Sequence, residues 1–150
     1  MKHRITKTLL ALLFTITLVA NANAQEIGIR GGDLTGGNIA FDAAYLTSDF
    51  TRLHASVSFG KDIGVDILWD FIYRPLVDET LFLYSGIGPY FLFTDPFTMG
   101  AVGEIGFEYR FDSVPIALGI DWRPLYSISE ETEFIPKSYG FNLRFILDYY

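Results

Sequence analysis

The chain contains no cysteine. That excludes a disulfide framework, thiolate metal sites and cysteine nucleophiles. Histidine is scarce as well: there are two, and His3 lies among the first residues, which leaves His54 as the one histidine further along. Beyond position 24 the only lysines are Lys61 and Lys137. From Gln25 onward eight Lys and Arg stand against eighteen Asp and Glu, a formal charge of −10. Such a chain lacks the clustered basic surface that nucleic acid requires, so no nucleic-acid partner is expected. Beyond position 24, no apolar run reaches the ~18 residues of a membrane-spanning helix.

The first residues follow a different pattern. Lys2, His3, Arg4 and Lys7 make a basic start, Leu9 to Ala20 is an apolar run too short to span a bilayer, and Ala22-Asn23-Ala24 is a small-x-small site. This is the pattern of a secretory signal peptide, so residues 1–24 are expected to be cleaved and residues 25–150 to form one domain.

What the chain has in abundance is apolar and aromatic side chains with scattered glycine: 50% hydrophobic, 17% aromatic and 14 Gly. That composition disfavours helices and suits strands. Alternation supports the strand reading. In VDILWDFIYR, Val65, Ile67, Trp69, Phe71 and Tyr73 alternate with Asp66, Leu68, Asp70, Ile72 and Arg74. A helix would scatter the first set around its circumference, whereas a strand puts it on one face. The same rhythm runs through Ile39–Tyr45, Arg52–Phe59, Met99–Phe111, Ile116–Arg123 and Phe141–Tyr150, with a short run at Gln25–Gly31 and one apolar on both faces at Thr80–Phe93. Eight strands are expected. Short turn-like segments separate them, with one longer loop at Leu125–Lys137.

Alternation fits a soluble barrel with its apolar face inside and a membrane barrel with that face outside. Size separates the two, because an eight-stranded barrel has room only for side chains, and Trp69, Phe71, Phe107, Trp122, Phe141 and Phe145 crowd the apolar face while glycine and alanine recur on the other. Every arginine after residue 24 falls on the polar face, and both lysines fall in loops. Arginine's planar fork suits crowded, shared carboxylate contacts. Arg30, Asp42, Arg52, Asp66, Asp70, Arg74, Glu104, Glu108, Arg110, Asp121, Arg123, Arg144 and Asp148 are therefore expected to form a nearly balanced charge ladder in the lumen. Tyr45, Tyr73, Tyr109, Phe111 and Tyr149 collect at the strand ends beside the chain termini, as an interfacial aromatic girdle would. The expected fold is all-β, an eight-stranded antiparallel up-and-down transmembrane β-barrel with three short periplasmic turns and four surface loops, the last of them largest.

The leader, the eight alternating strands and the closing GFNLRFILDYY resemble the small outer-membrane barrels of Gram-negative bacteria, the OmpA transmembrane-domain and OmpX type. GVDILWDFIYRPL, GFEYRF and VPIALGIDWRPL are similar to small outer-membrane barrel proteins of Bacteroidota whose role is not established. The resemblance implies a monomer in the bacterial outer membrane, in contact with lipid and lipopolysaccharide. It also implies a closing strand read by the barrel-assembly machinery, and no cofactor. In this chain the lipid-side aromatic of that strand is Tyr149, the penultimate residue.

Several residues invite a catalytic reading. His54-Ala55-Ser56 resembles the His-x-Ser of outer-membrane lipid A deacylases, in which a histidine activates a serine nucleophile. Here the pair lies on the third strand with parity toward the lumen, so a histidine sharing the Arg52 ladder is the expectation. His54 with Asp66, Asp70 or Glu104 is a poor transition-metal set, having one histidine and no cysteine, and no metal is expected. Glu104 and Glu108 share a face as glycosidase acids do, but Asp66 and Asp70 repeat that spacing with no cleft, so neutralisation by arginine is expected. GDLTGG lacks the lysine and helix of a phosphate loop and is a turn. SEETEF is a solvated loop, or the place where divalent ions bridge lipopolysaccharide phosphates. The expected role is structural or one of surface interaction; a narrow pore is the alternative, and a lipid-modifying hydrolase using His54 and Ser56 a further one.

Overall fold

The computed structural model describes residues 25–129 and 132–147. The expected signal peptide, and Asp148 and Tyr149, lie outside the described residues. Ten strand segments form: β1(Glu26–Gly32), β2(Ile39–Ser48), β3(Thr51–Phe59), β4(Ile63–Val77), β5(Leu81–Phe93), β6(Thr98–Arg110), β7(Ile116–Trp122), β8(Leu125–Ser127), β9(Glu133–Ile135) and β10(Tyr139–Ile146). Every pairing is antiparallel, in the order β5-β4-β3-β2-β1-β10-β7-β6. A further β5–β6 pairing joins the two ends and closes the ring, so the sheet presents no free main edge.

The ten segments make eight staves. β8 continues β7, for both pair with β6 in one register, Ile105 opposite Trp122 and Val102 opposite Leu125. Between them Pro124 has no N–H to give to a ladder, yet its carbonyl accepts from Gly103 N at 3.0 Å. β9 in turn pairs with β8 and leads into β10. The segment expected as the largest loop, Leu125–Lys137, thus contributes two paired strands, β8 and β9, to the sheet.

Alternation decides which face each side chain takes. In β10, Phe141, Leu143 and Phe145 are exposed while Asn142, Arg144 and Ile146 are buried. The interior is accordingly polar, and the large apolar side chains stand outside. Toward the end of the lumen away from the chain termini the polar set gives way to an apolar layer of Leu68, Tyr90, Val102 and Leu125, packed with Leu92 and Ile135. Residues 33–38 fold over the same end: Leu34 is buried, Thr35 donates to Asp66 at 2.7 Å, and Gly36 N donates to Ser58 Oγ at 2.9 Å.

One strand breaks the alternation. The β4–β5 register slips by one residue between Asp70, opposite Gly86, and Ile72, opposite Ser85. A bulge of this kind places one extra residue on a strand and swaps the faces of everything after it. Tyr73, expected in the outer aromatic girdle, is instead buried in the lumen at 2% exposure. Arg74, expected in the lumen ladder, is exposed and has its guanidinium carbon 5.2 Å from the ring centre of Phe50.

Candidate functional site

Each of the eight staves contributes to the interior network. β3 supplies Arg52, His54 and Ser56, three successive inward positions, all buried. Across the ring, β6 supplies Glu104 and Glu108, β7 supplies Asp121, β10 supplies Arg144, and Arg123 follows β7. These groups meet because the barrel is narrow; His54 and Glu104 are 50 positions apart in the chain.

At the end nearer the termini, Arg52 donates to Asp70 at 2.8 Å, to Glu108 at 3.2 Å and to Glu26 at 3.4 Å. Its guanidinium carbon also lies 4.5 Å from the Tyr73 ring centre and 4.8 Å from that of Tyr84, within cation–π range. Arg110 pairs with Glu26 and donates to Glu108 at 3.0 Å. At mid-lumen Arg144 donates to Asp42 at 2.8 Å and pairs with Glu108. Toward the other end Arg123 pairs with Glu104 and donates to Ser56 at 3.1 Å, Ser56 donates to Asp66 at 3.2 Å, and Arg30 donates through Nε to Asp121 at 2.9 Å. Asn142 donates to Asp121 at 3.0 Å as well. A buried carboxylate left without such partners would be strongly destabilising, so the arginines are what allow this interior to exist.

His54 sits where the arms of the network cross. Its Nε2 is 2.6 Å from Asp42 and its Nδ1 is 3.1 Å from Glu104 and 4.0 Å from Asp70. Ser56 donates to Asp66 and accepts from Arg123. The serine and the histidine thus share the strand face that the sequence implied and the Arg123 guanidinium, while their carboxylate partners differ.

Of the expected ladder, Arg30, Asp42, Arg52, Asp66, Asp70, Glu104, Glu108, Asp121, Arg123 and Arg144 are buried in this network, with Arg110 at its rim. Arg74 is outside it. Glu26 was missed, although its parity with Arg30 was readable in the short first run; Tyr73 and Tyr84 were missed because of the bulge and the two-faced β5. Among the described residues the ladder is not balanced, with seven carboxylates against five guanidiniums. Of the expected girdle, Tyr45 and Tyr109 are exposed near turns on the terminal side, and Tyr109 meets Phe111 edge to face at 5.0 Å.

Fold and interior together define a class: a closed, eight-stranded antiparallel β-barrel whose inside is a charged network and whose outside is apolar. Compared with family models, curated proteins and solved structures, the chain matches none of them.

Proposed function

We propose that this chain is a small integral outer-membrane barrel, filled by its own side chains, with a structural or surface-interaction role. The observation that carries the reading is the outer belt. Ile29, Phe41, Leu53, Ile67, Trp69, Phe71, Ile87, Ile105, Phe107, Ile120, Phe141, Leu143 and Phe145 all stand 40–57% exposed around the ring. Soluble monomers rarely expose one contiguous apolar patch beyond a few hundred Å², and a belt of this kind in water would drive aggregation. In lipid the same belt is solvated, and closure through β5 and β6 joins the two ends of the main sheet, the condition for crossing a bilayer. The exported leader read from residues 1–24 agrees with that destination. Outer-membrane lipid and lipopolysaccharide are then the immediate partners, with the barrel-assembly machinery engaging the closing strand during insertion. The apolar layer of Leu68, Tyr90, Val102 and Leu125 supports a filled lumen over a conducting one.

Expression in a Gram-negative host tests this. The protein is expected in the outer-membrane fraction, resistant to a carbonate wash, and to migrate differently on gels before and after boiling. Release by carbonate together with identical migration would contradict the proposal.

A further inference from the structure

We propose that His54, Asp70 and Glu104 bind a divalent transition cation inside the barrel, an ion of the zinc or manganese kind. The site does not depend on where the barrel resides. The three side chains are each buried, and one donor atom from each lies within 4.8 Å of the other two. His54 Nδ1 is 3.1 Å from Glu104 Oε1 and 4.0 Å from Asp70 Oδ2. Separations of that size suit ligands that each stand roughly 2.0–2.2 Å from one ion. One imidazole and two carboxylates make a donor set for a borderline ion and leave coordination positions for water.

The orientation of the ring favours this use of Nδ1. Asp42 lies 2.6 Å from Nε2, so a neutral imidazole places its proton there and turns the Nδ1 lone pair toward Glu104. Two groups facing each other at 3.1 Å need a proton or a metal ion between them, and a metal ion that binds there displaces the proton. Arg123 Nη2 does not fill the place, for it is 3.3 Å from Nδ1 and 3.1 Å from Nε2. A nitrogen nearly equidistant from both ring nitrogens lies over the face of the imidazole, not along the lone pair.

Two further observations point the same way. Asp70 Oδ1 is buried with no hydrogen-bond partner, while its other oxygen accepts from Arg52. Buried carboxylate oxygens are seldom left so. The interior also holds seven carboxylates against five guanidiniums, Glu26, Asp42, Asp66, Asp70, Glu104, Glu108 and Asp121 facing Arg30, Arg52, Arg110, Arg123 and Arg144. A divalent ion supplies cationic charge that the described network lacks. Because the site is closed by its neighbours, the ion would enter while the barrel folds.

The test is refolding of residues 25–150 in detergent with Zn²⁺, with Mn²⁺ or with a chelator. Loose metal is removed by desalting and bound metal is measured by mass spectrometry, with His54→Gln and Glu104→Gln alongside. The expected result is about one retained ion per wild-type chain, absent from both variants, and a higher unfolding temperature for the metal-refolded wild type. Retention of neither metal, or equal retention in the variants, overturns the proposal. A readout on the wild type alone does not depend on how the variants fold: nitrogen NMR of His54 in the metal-refolded protein should show one N–H, at Nε2. Two N–H signals there mean that a proton holds the place of the metal, and likewise overturn it.

Discussion

Tyr73 donates a hydrogen bond to Glu108 at 3.0 Å inside the barrel, although simple alternation along its strand points it outward. The ring is also stacked on Phe82 at 4.9 Å. Tyr73→Phe keeps the ring and removes only the donor, which leaves Glu108 with one fewer partner at a buried site. The expected loss is about 1–3 kcal/mol, seen as a lower urea midpoint in detergent with an unchanged slope. An outward-facing tyrosine would tolerate the same change with no shift.

The two arginines Arg144 and Arg74 should differ sharply. Arg144 joins Asp42 and Glu108 and is fully enclosed, so Arg144→Met leaves two carboxylates short of a partner and is expected to cost about 3–5 kcal/mol. Arg74 lies outside the lumen against Phe50, and Arg74→Met should fall within roughly 0.5 kcal/mol of wild type in the same urea titration.

How much of this was readable in the sequence depended on local regularity. The eight staves, the polar lumen and most of its charged residues follow from period-two alternation and from arginine keeping to one face. The bulge at Phe71 was not readable, because Phe71, Tyr73 and Arg74 continue the rhythm in appearance and no glycine marks the extra residue. Its partner β5 is apolar on both faces, so no pattern there revealed the register slip. Leu125–Ser127 and Glu133–Ile135 read as loop in the sequence because Pro124 and the acidic stretch interrupt the alternation, yet Leu125–Ser127 keeps the register of β7 against β6 and Glu133–Ile135 pairs in turn with Leu125–Ser127. The crossing point at His54 depends on closure: Asp42 faces it from a neighbouring strand, whereas Glu104 arrives from across the ring.

Two glycines separate tight packing from open space. A Cβ at Gly88 would fall on the carbonyl oxygen of Ile67, backbone that cannot turn aside, whereas one at Gly103 would find nothing nearer than Pro124 Cγ at 3.7 Å. Gly88→Ala is expected to destabilise by about 1–3 kcal/mol or to prevent folding, and Gly103→Ala to be neutral within roughly 0.5 kcal/mol. The fraction reaching the unboiled, fast-migrating form reports both.

A filled lumen has an electrical consequence. Wild-type protein in planar bilayers should show no steady conductance, because the Leu68, Tyr90, Val102 and Leu125 layer and the Leu34 loop close the path. Leu68→Ala opens a void and should cost about 2–5 kcal/mol while the bilayer remains quiet, since the ion pairs on the terminal side still block the route. Regular single-channel steps from the wild type would show a continuous water path.

The central claim is that the apolar face looks outward into lipid, and the chain carries its own probes. Its two tryptophans, Trp69 and Trp122, both take outward positions, Trp69 at 52% exposure. Their fluorescence is measured in vesicles of ordinary lipid, then in vesicles whose acyl chains carry bromine, with aqueous iodide added to each. Strong quenching by the brominated chains with little effect of iodide is the expected result. Free quenching by iodide with no response to the brominated chains would contradict the account.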